Sequence, residues 1–415
     1  MTSITPDSSD IDARRRSAGW HRILRRVGLV YVFSRLCVLV GAAIVAAELR
    51  ADENLRLAEL PDAPWADPHY AEKVISSNAL EPVLDVLTSW DGNWYLEIVR
   101  HGYPRHVPPN VTYEMLEARA AFFPLYPISV RVLDFIVPGG QVTAALLLNV
   151  VLGGLFLFVV GLIAREVFDI DVAERSMILM ALFPGSFVLS FAYTEALLLV
   201  LAAGCLLLLM RRQWLLAGLL AALGTATRPN GLALVAACAV AAFLAIKERR
   251  EWRSLVAVLL APVGFIAFQW WVGWHAGEPG VWFRVQTEAW GEGASFGVTA
   301  ITNTFEAFTH PLTSPTDTIT AASVVTMVVL IFFAYRERLP WPMLAYTAGV
   351  LGLMLLPSTV TARPRFLYTA FPLLIAAAAW FRGADRQAWW PYVLAACSAG
   401  LVGLTALYGV LGAIP

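Results

Sequence analysis

The chain has little of the charge that marks soluble proteins and proteins that bind nucleic acid. Only 15% of its 415 residues are charged, while 58% are hydrophobic, and that balance lies far from the composition of a soluble domain. The 30 Lys and Arg residues are matched by 31 Asp and Glu residues, so no bulk positive charge would attract nucleic acid. The composition indicates a protein that lies in lipid and argues against nucleic acid as a partner.

The chain also lacks the usual metal and cofactor motifs. Its four cysteines, Cys37, Cys205, Cys238 and Cys397, all lie in apolar runs and form no CxxC pair, so we interpret them as core residues. The histidines form no HExxH pattern, and there is no glycine-rich phosphate loop. We therefore expect no cofactor and no metal site, while the metal requirement itself stays open.

The N-terminal segment resembles a signal peptide only at first sight. Several arginines precede the apolar run 27–47, but this run is too long for a signal peptide and contains Arg35. We expect a retained first span in which Arg35 either extends to the interface or pairs with an acidic residue of the bundle.

Long apolar runs follow one another along the rest of the chain. A run of roughly 17 to 25 apolar residues can cross a bilayer as a helix, because lipid offers no hydrogen-bond partner to the backbone. The sequence therefore predicts an all-α, polytopic membrane helix bundle of about 11 transmembrane helices. The predicted spans lie near 27–47, 141–163, 176–191, 195–210, 215–227, 231–246, 254–275, 318–335, 341–357, 366–381 and 391–413.

The distribution of Lys and Arg predicts the orientation, since cytoplasmic loops are enriched in them. It places the basic N-terminus, 1–26, in the cytoplasm, provided that the proline-containing run 122–137 lies in the interface. The segment 27–275 then forms an N-terminal membrane module with an outer loop at 48–140. The segment 276–415 supplies a second outer loop and the C-terminal spans.

The sequence WDGNWYLEIVRHGY at 90–103 contains the most informative polar residue. Apolar spacing on both sides of Asp91 predicts two amphipathic helices at the membrane surface. Asp91 could cap the second helix, which Gly102 would end. Alternatively its carboxylate, flanked by Trp90, Trp94 and Tyr95, could take a proton from a hydroxyl.

Three further segments place polar or aromatic residues at the predicted outer surface. The run AFFPLYP at 121–127 is a docking segment or the wall of a lipid groove. Glu195 lies at a helix start, where it could simply stabilise the helix dipole. The segment TRPNG at 227–231 holds Arg228 and Asn230, which are costly at the edge of a bundle without partners.

A second outer arginine site, formed by Arg363 and Arg365, lies in the stretch ARPRFLY at 362–368. The planar guanidinium fork suits a phosphate, because it makes paired charge-assisted hydrogen bonds. The alternative is ordinary anchoring to lipid headgroups.

These motifs, taken in order, resemble the GT-C glycosyltransferases, and within them the PIG-V-type mannosyltransferases. The resemblance rests on WDGNWYLEIVRHGY, AFFPLYP, AYTEALLL at 192–199 and TRPNG, with PRFLY at 364–368 as a weaker match. It implies a GT-C-like fold and inverting transfer of a mannosyl unit from a polyprenyl or dolichyl monophosphate to a hydroxyl of a lipid-anchored glycan. The membrane would be the plasma membrane in a bacterium or the endoplasmic reticulum in a eukaryote, with the site on its extracytoplasmic side.

The resemblance also implies residue roles. Asp91 would be the base, while Arg228 and one of Arg363 or Arg365 would hold the phosphate. The other residues expected to contact donor, acceptor or membrane lipid are Trp90, Trp94, Tyr95, His101, Phe122, Phe123, Tyr126, Glu195 and Asn230.

Two other functions remain open from the residues alone. A transporter or flippase of a lipid-linked sugar would place its polar residues near the membrane midplane on broken helices, whereas here they collect at predicted helix ends. A catalytically inactive scaffold is the third possibility.

Overall fold

The computed structural model describes residues 8–58, 80–359 and 361–409. Over these residues the regular structure is helical, and the only β interaction is one isolated bridge between Ala294 and Pro357. The all-α fold class predicted from the sequence is confirmed.

The α-helices, numbered in chain order, are α1 Ser8–Ala58, α2 Glu81–Thr88, α3 Asp91–His101, α4 Leu125–Asp134, α5 Gly140–Val167, α6 Ile170–Leu182, α7 Glu195–Met210, α8 Trp214–Thr225, α9 Ala233–Arg249, α10 Leu255–Leu260, α11 Val263–His275, α12 Val281–Trp290, α13 Val298–Thr309, α14 Pro315–Glu337, α15 Trp341–Leu355, α16 Pro364–Thr369, α17 Pro372–Trp380 and α18 Trp390–Gly409. Short 3-10 helices lie at Leu116–Ala121, Pro184–Leu189, Pro229–Leu232, Trp252–Ser254 and Gln387–Trp389.

The apolar helices form a multi-pass membrane bundle. Among the described residues, six helical segments are long and apolar enough to cross a membrane: Gly19–Glu48, Gly140–Val167, Pro229–Arg249, Trp252–His275, Pro315–Glu337 and Gln387–Gly409. Helices α7, α8 and α15 are apolar but shorter. The predicted spans 176–191 and 366–381 each combine two shorter helices. The structure therefore confirms the bundle but not the exact count of eleven, and residues 410–413 of the last predicted span lie outside the described residues.

The helices pack in neighbouring pairs around one large apolar core. Helix α9 packs on α15, α5 on both α6 and α7, α7 on α8, α1 on α18, and α14 on α17. Helices α2, α3 and α4 have 8, 11 and 10 residues, which is too short to cross a bilayer. The segment 122–137 therefore does not cross the membrane, which agrees with the sequence prediction. Most of the N-terminal part of the outer loop, 59–79, lies outside the described residues.

The first span holds Arg35 in an unexpected way. Its side chain is buried and donates to the backbone oxygen of Ser186 at 2.8 Å and to Ser190 Oγ at 2.9 Å. It also donates to Ser186 Oγ at 3.0 Å. Among the described residues Arg35 has neither the interfacial position nor the acidic partner expected from the sequence, because the broken helix after α6 leaves polar groups that Arg35 satisfies.

Candidate functional site

A sharp turn between α2 and α3 presents Asp91. Trp90 precedes α3 with φ 57° and ψ −122°, a backbone conformation that a bulky residue rarely adopts. Its indole Nε1 donates to the carbonyl oxygen of Tyr408 at 3.1 Å, which ties the turn to α18. Strain of this kind persists where the surrounding structure imposes it, and such positions often cluster at functional sites.

Asp91 is the first residue of α3 rather than its N-cap. Trp90 occupies the cap position and makes no side-chain capping bond, so the capping role considered for Asp91 is wrong in detail. Gly102 ends the helix with φ 68°, as predicted. The carboxylate of Asp91 instead accepts a hydrogen bond from Arg365 Nη1, with Oδ2 at 2.6 Å.

Behind this pair lies a second carboxylate, Glu195, whose side chain is only 1% exposed. It forms an ion pair with Arg228 Nη1, and its Oε1 lies 3.8 Å from Arg365 Nη1. Two arginines and two carboxylates thus form a charge-balanced cluster. Asp91 is its accessible member, with a side chain 27% exposed.

The charge environment keeps Arg365 protonated. Burial by itself lowers the pKa of Arg365, but the negative charges of Asp91 and Glu195 outweigh it and raise that pKa above its ordinary value. Nearby, burial raises the pKa of Tyr95, so its phenol stays neutral. The Tyr95 hydroxyl lies 3.5 Å from Thr194 Oγ1, which also accepts a hydrogen bond from Arg228 Nη1.

The segment before α7 is held in place by backbone contacts. Asn149 Nδ2 on α5 donates to the carbonyl oxygen of Tyr193 at 2.7 Å and also to that of Phe191. The amide of Ala192 donates to the carbonyl oxygen of Leu87, at the end of α2, at 2.9 Å. These contacts set Glu195 against the turn that carries Asp91.

The cluster opens into a cavity of about 800 Å³, which we call the central cavity. Its lining residues are Trp90, Asp91, Trp94, Tyr95, Tyr113, Ala121, Phe122, Phe123, Arg228, Pro229, Asn230, Leu232, Phe265, Trp282, Phe283, Gln286, Thr287, Ala289, Trp290, Glu292, Gly293, Leu353, Leu356, Pro357, Thr359, Arg365 and Phe366. A mostly apolar and aromatic wall with a few convergent charged groups is typical of a small-molecule site.

Aromatic rings line one side of the central cavity. Trp94 and Phe122 stack with ring centroids 5.8 Å apart, and Trp290 meets both edge-on at 6.0 and 5.6 Å. Tyr113 also meets Trp94 and Trp290 edge-on, with ring centroids 5.8 and 5.9 Å apart. The rings offer apolar faces and edges to a ligand that also reaches the charged cluster.

The structure brings most of the predicted site residues to this cavity. Those in its wall are Trp90, Asp91, Trp94, Tyr95, Phe122, Phe123, Arg228, Asn230 and Arg365, with Glu195 buried directly behind.

Three predicted residues lie elsewhere. Arg363 is fully buried and donates to Thr320 Oγ1 on α14, and Tyr126 is buried against Tyr95 at a centroid distance of 5.4 Å. His101 is exposed at the far end of α3, in a separate groove.

Residues that the sequence did not single out complete the cavity. Helix α12 supplies Gln286 and Trp290, and Glu292 accepts hydrogen bonds from the backbone amides of Ser358 and Thr359 at 2.9 and 3.3 Å. The apolar periodicity of α12 could have identified the helix, but its position over Asp91 depends on long-range packing. Among the described residues no group of three or more His, Cys, Asp or Glu side chains could hold a metal ion.

Comparison with known proteins identifies the family. The family profile described as Mannosyltransferase (PIG-V) matches residues 26–268, more than half of the chain, and confirms the resemblance drawn from the sequence motifs. A search of curated proteins finds no match.

Two solved structures resemble the chain at low identity. One is ArnT from Cupriavidus metallidurans bound to undecaprenyl phosphate, with 14% identity, a TM-score of 0.43, and coverage of 80% of this chain and 75% of ArnT. The other is the apo oligosaccharyltransferase of Archaeoglobus fulgidus, with 15% identity and a TM-score of 0.44. That match covers 90% of this chain but only 56% of the oligosaccharyltransferase.

Proposed function

The chain belongs to the mannosyltransferase (PIG-V) family, and from that membership we propose that it moves a mannosyl unit from a polyprenyl or dolichyl monophosphate to a hydroxyl of a lipid-anchored glycan. It is a multi-pass membrane glycosyltransferase. The transfer inverts the anomeric centre and takes place in the central cavity, on the extracytoplasmic side of the membrane.

The observation that carries the proposal is the position of Asp91 in the cavity wall. Its carboxylate is partly exposed to the cavity and hydrogen-bonded to Arg365. A single general base suffices for this reaction, because the acceptor hydroxyl must lose a proton while the phosphate departs as a stable anion. Asp91 takes that proton as the hydroxyl oxygen attacks the anomeric carbon and the bond from that carbon to the phosphate oxygen breaks.

The arginines supply the charge that the leaving phosphate needs. Arg228 and Arg365 both line the cavity and hold their ion pairs through Nη1. Each ion pair uses only part of the guanidinium group, and Nε of both arginines has no hydrogen-bond partner among the described residues. Both arginines therefore retain donors for phosphate oxygens. Cations preset where negative charge develops stabilise the transition state without rearranging.

The test is transfer from synthetic polyprenyl-phosphate mannose into membranes that carry matched amounts of wild-type protein or of Asp91→Asn. The matched control is Asp85→Asn, an exposed carboxylate on α2 that lies outside the cavity lining. We expect Asp91→Asn to lose transfer by about 100-fold or more, as for other general bases, and Asp85→Asn to keep it.

Equal transfer by wild type and Asp91→Asn would refute the base assignment. If neither protein transfers mannose while a labelled lipid-linked sugar still crosses the bilayer, the proposed transferase activity is wrong and the protein is a transporter.

A further inference from the structure

A second cavity of about 700 Å³, which we call the lateral groove, lies across the AFFPLYP segment from the central cavity. Its lining includes Arg105, Arg131, Gly264, Phe268, Trp271 and His275. The two cavities share no lining residue.

The AFFPLYP segment separates the two cavities. Phe122 and Phe123 line the central cavity, whereas Pro124, Pro127 and Ile128 line the lateral groove. The partition is well packed, because the ring centroids of Phe123 and Phe268 lie only 4.4 Å apart. The lateral groove is therefore distinct from the cavity that holds Asp91.

The groove is amphipathic along one membrane-crossing segment. It follows the last part of Trp252–His275 from Gly264 to His275, a length of about 17 Å in an α-helix. The wall is apolar at Gly264, Ala267 and Phe268, and it ends at His275, whose ring stacks on Trp271 at 5.0 Å. An acyl chain along the helix with its headgroup at the His275 end matches this arrangement.

Positive charge collects in the groove without a matching negative charge. Arg105 and Arg131 line it and are exposed, and neither has an ion-pair or hydrogen-bond partner among the described residues. No acidic residue lines the groove in that part of the chain. His101 Nε2, also in the lining, lies 3.6 Å from the carboxylate of Glu97.

We propose that the lateral groove binds an anionic glycerophospholipid, with its phosphate held by Arg105 and Arg131 and an acyl chain lying along α11. The choice of a phospholipid over the polyprenyl phosphate rests on the proposed function, in which Arg228 and Arg365 hold the donor phosphate. Exposed arginines on two separate segments suit a headgroup at the membrane surface.

The experiment measures lipid binding to purified, delipidated full-length protein by native mass spectrometry, so it needs no transferase activity. The probes are phosphatidylglycerol and phosphatidylcholine with identical acyl chains. We expect one tight site for phosphatidylglycerol that the double variant Arg105→Ala/Arg131→Ala weakens about thirtyfold, since each basic side chain near a membrane surface contributes roughly a factor of five.

Two further variants control the result. Arg105→Lys/Arg131→Lys keeps both charges and should retain most of the affinity, which distinguishes lost charge from a damaged fold. Arg249→Ala/Arg253→Ala removes two exposed arginines near the opposite end of the Trp252–His275 segment and should leave the tight site unchanged.

Equal binding of the two phospholipids by wild-type protein would overturn the proposal, as would unchanged phosphatidylglycerol binding by Arg105→Ala/Arg131→Ala. Displacement of phosphatidylglycerol by inorganic phosphate at equal concentration would show an anion site without a lipid site. Binding of undecaprenyl phosphate through these two arginines in place of phosphatidylglycerol would overturn the choice of occupant.

Discussion

Replacing Glu195 with glutamine removes a negative charge that two arginines share. Glu195 is 1% exposed, pairs with Arg228, and lies 3.8 Å from Arg365 Nη1. At that distance, with an effective dielectric constant of about 20, the attraction between two unit charges is about 4 kcal/mol. Removing one partner of a buried pair destabilises proteins by roughly 3–5 kcal/mol, because the other charge stays buried.

We therefore expect Glu195→Gln to lower the free energy of unfolding by about 4 kcal/mol. The measurement is an SDS titration of purified protein in detergent micelles, followed by circular dichroism. The matched control is Glu166→Gln, which removes an exposed ion pair with Arg211 and should cost about 1 kcal/mol or less.

A double variant separates lost pairing from other effects of the substitution. In Glu195→Gln/Arg228→Met one of the two stranded arginines is removed as well, so part of the stability should return. If Glu195→Gln unfolds at the same SDS fraction as Glu166→Gln, Glu195 does not hold the cluster together and the reasoning from burial is wrong.

Two further predictions concern the scaffold. A Cβ added at Gly264 would lie 1.9 Å from the carbonyl oxygen of Ala222, so Gly264→Ala should lower the thermal unfolding temperature of the detergent-solubilised protein. In the control Gly352→Ala the added Cβ has nothing within 4 Å, so the unfolding temperature should stay unchanged or rise slightly. Asn149→Leu removes the donor to the carbonyl oxygen of Tyr193. It should cost about 1–3 kcal/mol in the SDS titration, and wild-type stability in that variant would contradict this role.

The elements that could be predicted from the sequence are those set by local pattern. Apolar run length predicts the membrane helices, and apolar spacing with Gly102 predicts the end of α3. The exact number of spans could not be predicted in the same way. Helices such as α16 and α17 are broken by prolines and packed inside the bundle, so their hydropathy does not show whether they cross the membrane.

The site could be predicted only in part, because a sequence indicates which residues have suitable chemical groups but not which of them contact one another. Asp91 and Arg365 are 274 positions apart, yet they form the hydrogen bond on which the proposed base depends. Trp290, the last residue of α12, and Glu292, just after it, reach the same cavity from a segment with no distinctive motif. The AFFPLYP segment was expected either to dock or to wall a groove, and the structure places it between two cavities.

Burial distinguishes charged residues that look alike in the sequence. Arg35, Glu195 and Arg363 all interrupt apolar segments, a pattern that indicates function by default in a membrane protein. In the structure all three are buried and contact protein groups, whereas Asp91 keeps 27% of its side chain exposed. A group that exchanges a proton with the substrate must be accessible to it. A buried charged group stabilises the fold only if an oppositely charged partner compensates the cost of removing it from water. Glu195 is therefore expected to act through the arginines that it positions, and Asp91 through its own carboxylate.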